Sequence, residues 1–255
     1  MKRCLVTRVS NAWENGVKFE IGSSTDRAHS VALKHEFLRC EDAFTEFTLY
    51  GSALRDLAKR KYQIPLSNTG RDRLTAFRTY NAYTRFVHHL YEFLLGGFAR
   101  ERQSTAKISA VDAGIWIEGQ VQRILRGRRN AILRGTAPDW ENDLSYFPET
   151  VPSTFACDFR LIRNKANGHV TYERAALRLT DLYIANHKYL MMLYWNCLGF
   201  WGIRKHADFP DLQEITDFSM IVGSSGTESA LSAVNTDLSS ERSEAIMNDI
   251  WRLRD

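Results

Sequence analysis

The chain has 255 residues, 44% hydrophobic and 12% aromatic, which is ample material for a sizeable packed core. Its net charge of +4, from 34 basic and 30 acidic residues, is too mild to draw in a polyanion without local clustering. Cys4, Cys40, Cys157 and Cys197 lie far apart with no C-x-x-C pair, which argues against a zinc knuckle or a disulfide framework and fits a reduced, cytoplasmic protein.

Residues 1–29 are polar and broken by Asn15-Gly16 and by the 22–26 run, so they read as an N-terminal arm. Within it Val17, Phe19 and Ile21 alternate with Lys18 and Glu20, a pattern that suits a short strand or a loose arm. A first helix is expected from Ser30, its N-cap, to Arg60, with Gly51-Ser52 bending or dividing it. Pro65 and Asn68-Thr69-Gly70 then mark a loop. A second helix is expected over 71–95, where Leu74, Phe77, Tyr80, Phe86, Leu90 and Phe93 form a wide stripe that Gly96-Gly97 ends or interrupts. The third should follow Ser104-Thr105 and run to about Arg134, with Gly135 as its C′ residue. Residues 136–153 hold Pro138, Pro148 and Pro152 among Trp140, Tyr146 and Phe147, and predict a loop packed over the bundle.

A fourth helix opens at Ser153 or Thr154, carries Phe155, Phe159, Leu161 and Ile162, and weakens at Asn167-Gly168. The fifth spans about Thr171 to Trp201 and is apolar nearly all round at its end, so it should be the most buried element. Residues 220–243 are rich in Ser, Gly and Thr and read as flexible, with a short terminal helix at 244–253. These patterns predict an all-α antiparallel helical bundle of about five main helices, with a domain over 30–209 and a tail over 210–255. The N-terminus lacks the apolar run of a signal peptide, and no apolar stretch reaches membrane-span length, so no membrane association is expected.

The stretch 158–173 is the one that suggests chemistry. Cleavage of an RNA backbone without a metal needs one group to accept the 2′-OH proton and another to hold the phosphate as charge builds. Histidine suits the first task and arginine the second. Arg163 and His169 are six residues apart, about 120° around a regular helix, so they converge only if Asn167-Gly168 breaks it. Arg163-Asn164 followed by His169 resembles the Arg-polar-x4-His signature of HEPN domains, which are helical modules that bind nucleotides and RNA. The resemblance implies a metal-independent endoribonuclease needing no cofactor, usually a homodimer with its two motifs facing each other, and commonly a toxin or phage-defence effector under a cognate antitoxin or regulator. It casts Arg163 on the scissile phosphate, His169 as general acid or base, and Asn164 as their orienter, with Arg160 and Lys165 beside them as RNA contacts. Many domains of this kind are instead non-catalytic, binding RNA, nucleotide or a partner protein.

Other candidates compete with plainer readings. Arg123, Arg126, Arg128, Arg129 and Arg134 cluster at one helix end, where they could hold RNA phosphates beside Trp116 or Trp140 or simply face solvent. Arg78, Arg85 and His89 share a helical face that could form an auxiliary RNA contact, although His88-His89 more often belongs to packing or surface. Asp158 and Glu173 could pair with Arg163 or hold His169. H-x3-H, H-E-x-x-H, the phosphate-loop and G-x-S-x-G motifs are all absent, so metal, phosphate-loop and serine-hydrolase readings find no support.

Overall fold

The structure is a computed structural model that describes residues 16–60, 70–166, 177–201 and 220. The expected loop at 61–69, the expected break at Asn167-Gly168, His169, Glu173 and, apart from residue 220, the expected tail over 210–255 lie outside the described residues. The chain divides into two compact units, Met1–Lys205 and His206–Asp255. Among the described residues five helices with assigned bounds lie in the first: α1 (Ser24–Arg60), α2 (Gly70–Glu101), α3 (Ala110–Leu133), α4 (Phe155–Ala166) and α5 (Leu179–Trp201). The expected all-α bundle is what forms. Where the sequence suited either a short strand or a loose arm, a single bridge forms, Lys18 to Ser104, and no strand forms among the described residues. None of the described helices is long and apolar enough to cross a membrane.

Helix α1 begins six residues before Ser30. Ser23 Oγ accepts the Asp26 N–H at 3.1 Å, and the Asp26 carboxylate accepts the Gly22 N–H at 2.8 Å. This reciprocal cap satisfies donors that the first turn would leave orphaned. Gly51-Ser52 does not divide the helix into two elements; its 37 residues are continuous, about 55 Å of rise.

Helix α2 runs back along α1. Asp26 meets Arg100, Leu33 meets Gly96, Glu36 meets His89, Glu46 meets Arg85 and Tyr50 lies under Arg78, so one number rises as the other falls. That order defines an antiparallel hairpin. Gly96-Gly97 does not end α2, which continues to Glu101. A β-carbon on Gly96 would stand 2.4 Å from Leu33 Cδ2, so glycine there serves close approach of the two helices. The stop comes at Gln103, a non-glycine residue with φ of 53°. Its N–H reaches Arg100 O and the Ser104 N–H reaches Ala99 O, the paired bonds of a Schellman end.

Helix α3 is capped by Ser109, whose Oγ accepts from the Asp112 N–H, and not by Ser104 or Thr105. Those two residues instead pair with the 17–19 segment, through Thr105 N–H to Val17 O and the Lys18–Ser104 bridge. Its far end follows the sequence expectation, with Gly135 at φ of 68° donating to Ile132 O. The buried stripe is Ala113, Ile117, Val121 and Leu125, one residue per turn. In α4 the same spacing buries Phe155, Phe159 and Ile162 completely.

The core is aromatic. Phe37 of α1 packs between Phe93 of α2 at 5.1 Å and Tyr194 of α5 at 6.2 Å, and Tyr91 meets Phe159 edge-on at 5.0 Å. Fully burying a side chain of this size contributes about 1.5–3 kcal/mol, and Phe86→Ala, fully buried between α1 and α5, should cost about 3–5 kcal/mol. Helix α5 is less enveloped than its composition predicts. It buries Tyr189, Leu190, Leu193, Tyr194 and Cys197 but leaves Trp195 and Asn196 exposed.

Candidate functional site

Arg163 sits in the last turn of α4, one turn beyond the buried Phe159, where it reaches α2. Its Nε donates to Glu92 Oε1 at 2.6 Å and its Nη2 approaches the same oxygen at 2.5 Å. Nη1 donates to Asn164 Oδ1 at 2.8 Å. The guanidinium also stands 5.9 Å from the centre of the Tyr91 ring. One carboxylate, one amide and one aromatic face therefore hold it in place, and it remains part-exposed. Charge-assisted bonds of this kind are short and directional, so they fix orientation as well as position.

The neighbouring turn of α2 adds histidines. His89 Nδ1 lies 2.7 Å from Glu36 Oε1, and Glu36 is also 3.7 Å from Arg39. His88 Nδ1 is buried without a hydrogen-bond partner. Burial, and then the proximity of His89, push the His88 pKa down, with Glu92 opposing and Arg163 adding to the fall. His88 is therefore a neutral imidazole at physiological pH, close enough to feel both Arg163 and Glu92. Tyr91 is pushed up by burial, against the pull of Arg160 and Arg163, so Arg160 belongs to the same neighbourhood.

Of the residues singled out from sequence, Arg163 and Asn164 come together and Arg160 stands close by. Lys165 is half-buried in the same turn, and His169 lies outside the described residues. Asp158 takes the Asn186 Nδ2 donor at 3.2 Å. Glu92 goes unnamed by sequence reasoning, and His88 reads there as packing or surface. The signal was their spacing: His88, Tyr91 and Glu92 stand at i, i+3 and i+4, one helical face beside the buried Leu90 row. The alternative face, Arg78, Arg85 and His89, faces α1 and is occupied there by Tyr50, Glu46 and Glu36.

The basic end of α3 splits into different tasks. Arg129 donates to Phe147 O at 2.6 Å and to Glu149 Oε1 at 3.1 Å, and so pins the connector. Arg128 pairs with Glu141 at 2.6 Å, Arg123 bonds Gln120, and Arg126 is exposed. Trp116 stacks on Phe98 and donates to Glu101, which removes it from the base-stacking task; Trp140 is exposed. Among the described residues no group of His, Cys, Asp and Glu is placed to hold a metal ion.

No protein-family model, curated protein or solved structure matches the chain.

Proposed function

We propose that the chain is a metal-independent endoribonuclease of HEPN type, acting on RNA as a homodimer in a toxin or anti-phage defence role. Arg163 grips the scissile phosphate, Asn164 orients the guanidinium, and His169 handles the protons. The 2′-oxygen attacks phosphorus while its proton passes to the imidazole. The bond from phosphorus to the 5′-oxygen breaks, and that oxygen takes a proton as it leaves, which yields a 2′,3′-cyclic phosphate. Arg160 and Lys165 supply further charge beside the phosphate. The observation that carries this reading is the fixed, part-exposed Arg163 at the end of α4, held by Glu92 and Asn164 within an all-α bundle.

The test is cleavage of RNA in EDTA by wild type, Arg163→Ala and His169→Ala proteins, with folding followed by circular dichroism. Both variants should lose cleavage and keep their helical signal. Variants that cut as well as wild type would sink the assignment.

One observation favours a second reading. Glu92 occupies the Nε and Nη2 side of Arg163, the edge that would otherwise grip a phosphate in bidentate fashion. A non-catalytic module that binds RNA, nucleotide or a partner protein fits that geometry, and tight RNA binding without products in the same assay would select it.

A further inference from the structure

Three large aromatic side chains that a folding chain would ordinarily bury are left facing one groove. Trp140 is 82% exposed, Trp195 56% and Tyr146 53%. Trp140 and Tyr146 come from the two short 3-10 turns of the connector, Asp139–Glu141 and Leu144–Tyr146, and Trp195 from α5. With α3 as the remaining wall, they line a groove of about 1430 Å³. Pockets that enclose one small molecule measure roughly 300–1,000 Å³, so this space suits an extended chain better than a single compact ligand.

The wall is built to hold its shape. Arg129 ties down Phe147 O, Phe147 itself is buried, and Gln122 bonds Glu149 O at 2.6 Å and the Val151 N–H at 3.1 Å. The connector is thus fastened to α3 over residues 147–151, and Arg128 pairs with Glu141 beside Trp140. A preorganised aromatic display lowers the ordering cost of binding.

Charge then selects the occupant. Three cations line the groove, Arg123, Arg128 and Lys188, with two carboxylates, Glu141 and Asp143. Both carboxylates are committed, Glu141 to Arg128 and Asp143 to the Ser145 N–H. Arg123 bonds the neutral Gln120 amide, and Lys188 stands over the Tyr146 and Tyr189 rings, at 5.6 and 5.0 Å. Among the described residues neither cation has a carboxylate partner. The two stand on α3 and α5, on opposite walls, with the aromatic side chains along the groove they flank. Flat, apolar faces beside uncompensated cations match a chain that alternates exposed bases with phosphates.

We propose that this groove binds single-stranded RNA, with Trp140, Tyr146 and Trp195 stacking unpaired bases and Arg123 and Lys188 contacting phosphates. The proposal rests on the reading of the chain as an RNA-acting protein and names the form of RNA it takes. Double-stranded RNA is excluded by the same chemistry, because its base faces are already stacked. The groove shares no residue with the Arg163 site, so binding and cleavage are separable.

The experiment is fluorescence anisotropy of the full chain with a labelled oligouridylate of about twelve nucleotides and with a duplex of the same length. Trp140→Ala and Trp195→Ala should each weaken single-strand binding about 5-fold or more, with the Phe variants keeping most of the affinity. A paired Arg123→Gln and Lys188→Gln variant should lower the slope of log affinity against log salt by about 1.4, near 0.7 per phosphate contact, while the Trp variants leave that slope unchanged. The loss of affinity caused by Trp140→Ala should be the same fold in an Arg163→Ala background as in the otherwise wild-type chain. This keeps the two failures distinct: lost cleavage with intact binding tests only the catalytic reading, whereas Trp variants that bind like wild type overturn the groove. So does failure of the wild type to bind the oligouridylate. Trp variants that change the assembly mass by light scattering but not RNA affinity would make the groove a protein interface and overturn the assignment.

Discussion

Glu92 and Arg163, 71 positions apart in the chain, meet through two nitrogens of the guanidinium on one carboxylate oxygen. The pair is about one-third exposed, so its worth to folding is small, about 0–1 kcal/mol. Under the proposed ribonuclease reading its worth to the reaction is larger, because a misplaced phosphate grip can cost orders of magnitude in rate. Glu92→Gln is therefore expected to leave the melting temperature almost unchanged and to lower kcat for RNA cleavage about ten-fold or more with little effect on KM. Glu92→Asp should recover part of the loss. Unchanged kcat in Glu92→Gln would remove Glu92 from any positioning role.

The Asp26–Arg100 pair makes a pH-dependent contribution. Arg100 hydrogen bonds, joined by the Gly22 N–H, hold the Asp26 pKa down at about 2. An unfolded aspartate titrates near 3.9. A depressed folded value means the contribution is fully present above about pH 4 and is lost as the pH falls through about 2. Asp26→Asn should flatten the stability profile across that window when urea midpoints are measured at a series of acid pH values. A wild-type-like slope in the variant would contradict the assignment.

Arg128 and Arg129 are adjacent, and their removal should have unequal effects. Arg129 serves two backbone carbonyls and Glu149 from a mostly buried position, whereas Arg128 makes one half-exposed ion pair. Arg129→Ala should cost about 1.5–3 kcal/mol in chemical denaturation, and Arg128→Ala at most about 1 kcal/mol. Equal costs would mean that the connector is not held by Arg129.

The thiols should separate by reactivity. Cys157 is exposed, whereas burial pushes Cys197 up to about 12 and Cys40 well above its usual value. Thiolate is the reacting form, so mass spectrometry after brief alkylation of the native protein should find Cys157 modified and Cys40 and Cys197 protected until denaturant is added. Native labelling of Cys40 would show that the α1–α5 contact opens.

Periodicity made the bundle legible. The Phe155, Phe159 and Ile162 row and the Gly135 stop were readable because both depend on residues close in the chain. The errors came where tertiary contact reassigned a local signal. Gly96-Gly97 carries the composition of a stop, but Leu33 needs the space there, and the stop fell to Gln103, which has no compositional signature. Ser23 and Asp26 sat inside a run that reads as loop, although together they form a cap. At the candidate site Arg163-Asn164 was visible as a motif, whereas Glu92 is a neighbour only in the fold. The aromatic groove draws on α3, α5 and the connector, and no single stretch of sequence shows it.

The bridge between the 17–19 segment and the 103–105 turn sets a limit on how the protein can be trimmed. Gly16 has φ of 63°, and a β-carbon there would stand 2.2 Å from the Ala106 backbone, so any other residue at that position is both strained and obstructed. A shortened version that begins at Ser24 strips Gln103 O and the Thr105 N–H of their backbone partners and exposes the open end of the α1–α2 hairpin. A shortened form that keeps these backbone pairings must retain Val17, Lys18 and Phe19, and a tag or fused domain belongs upstream of them.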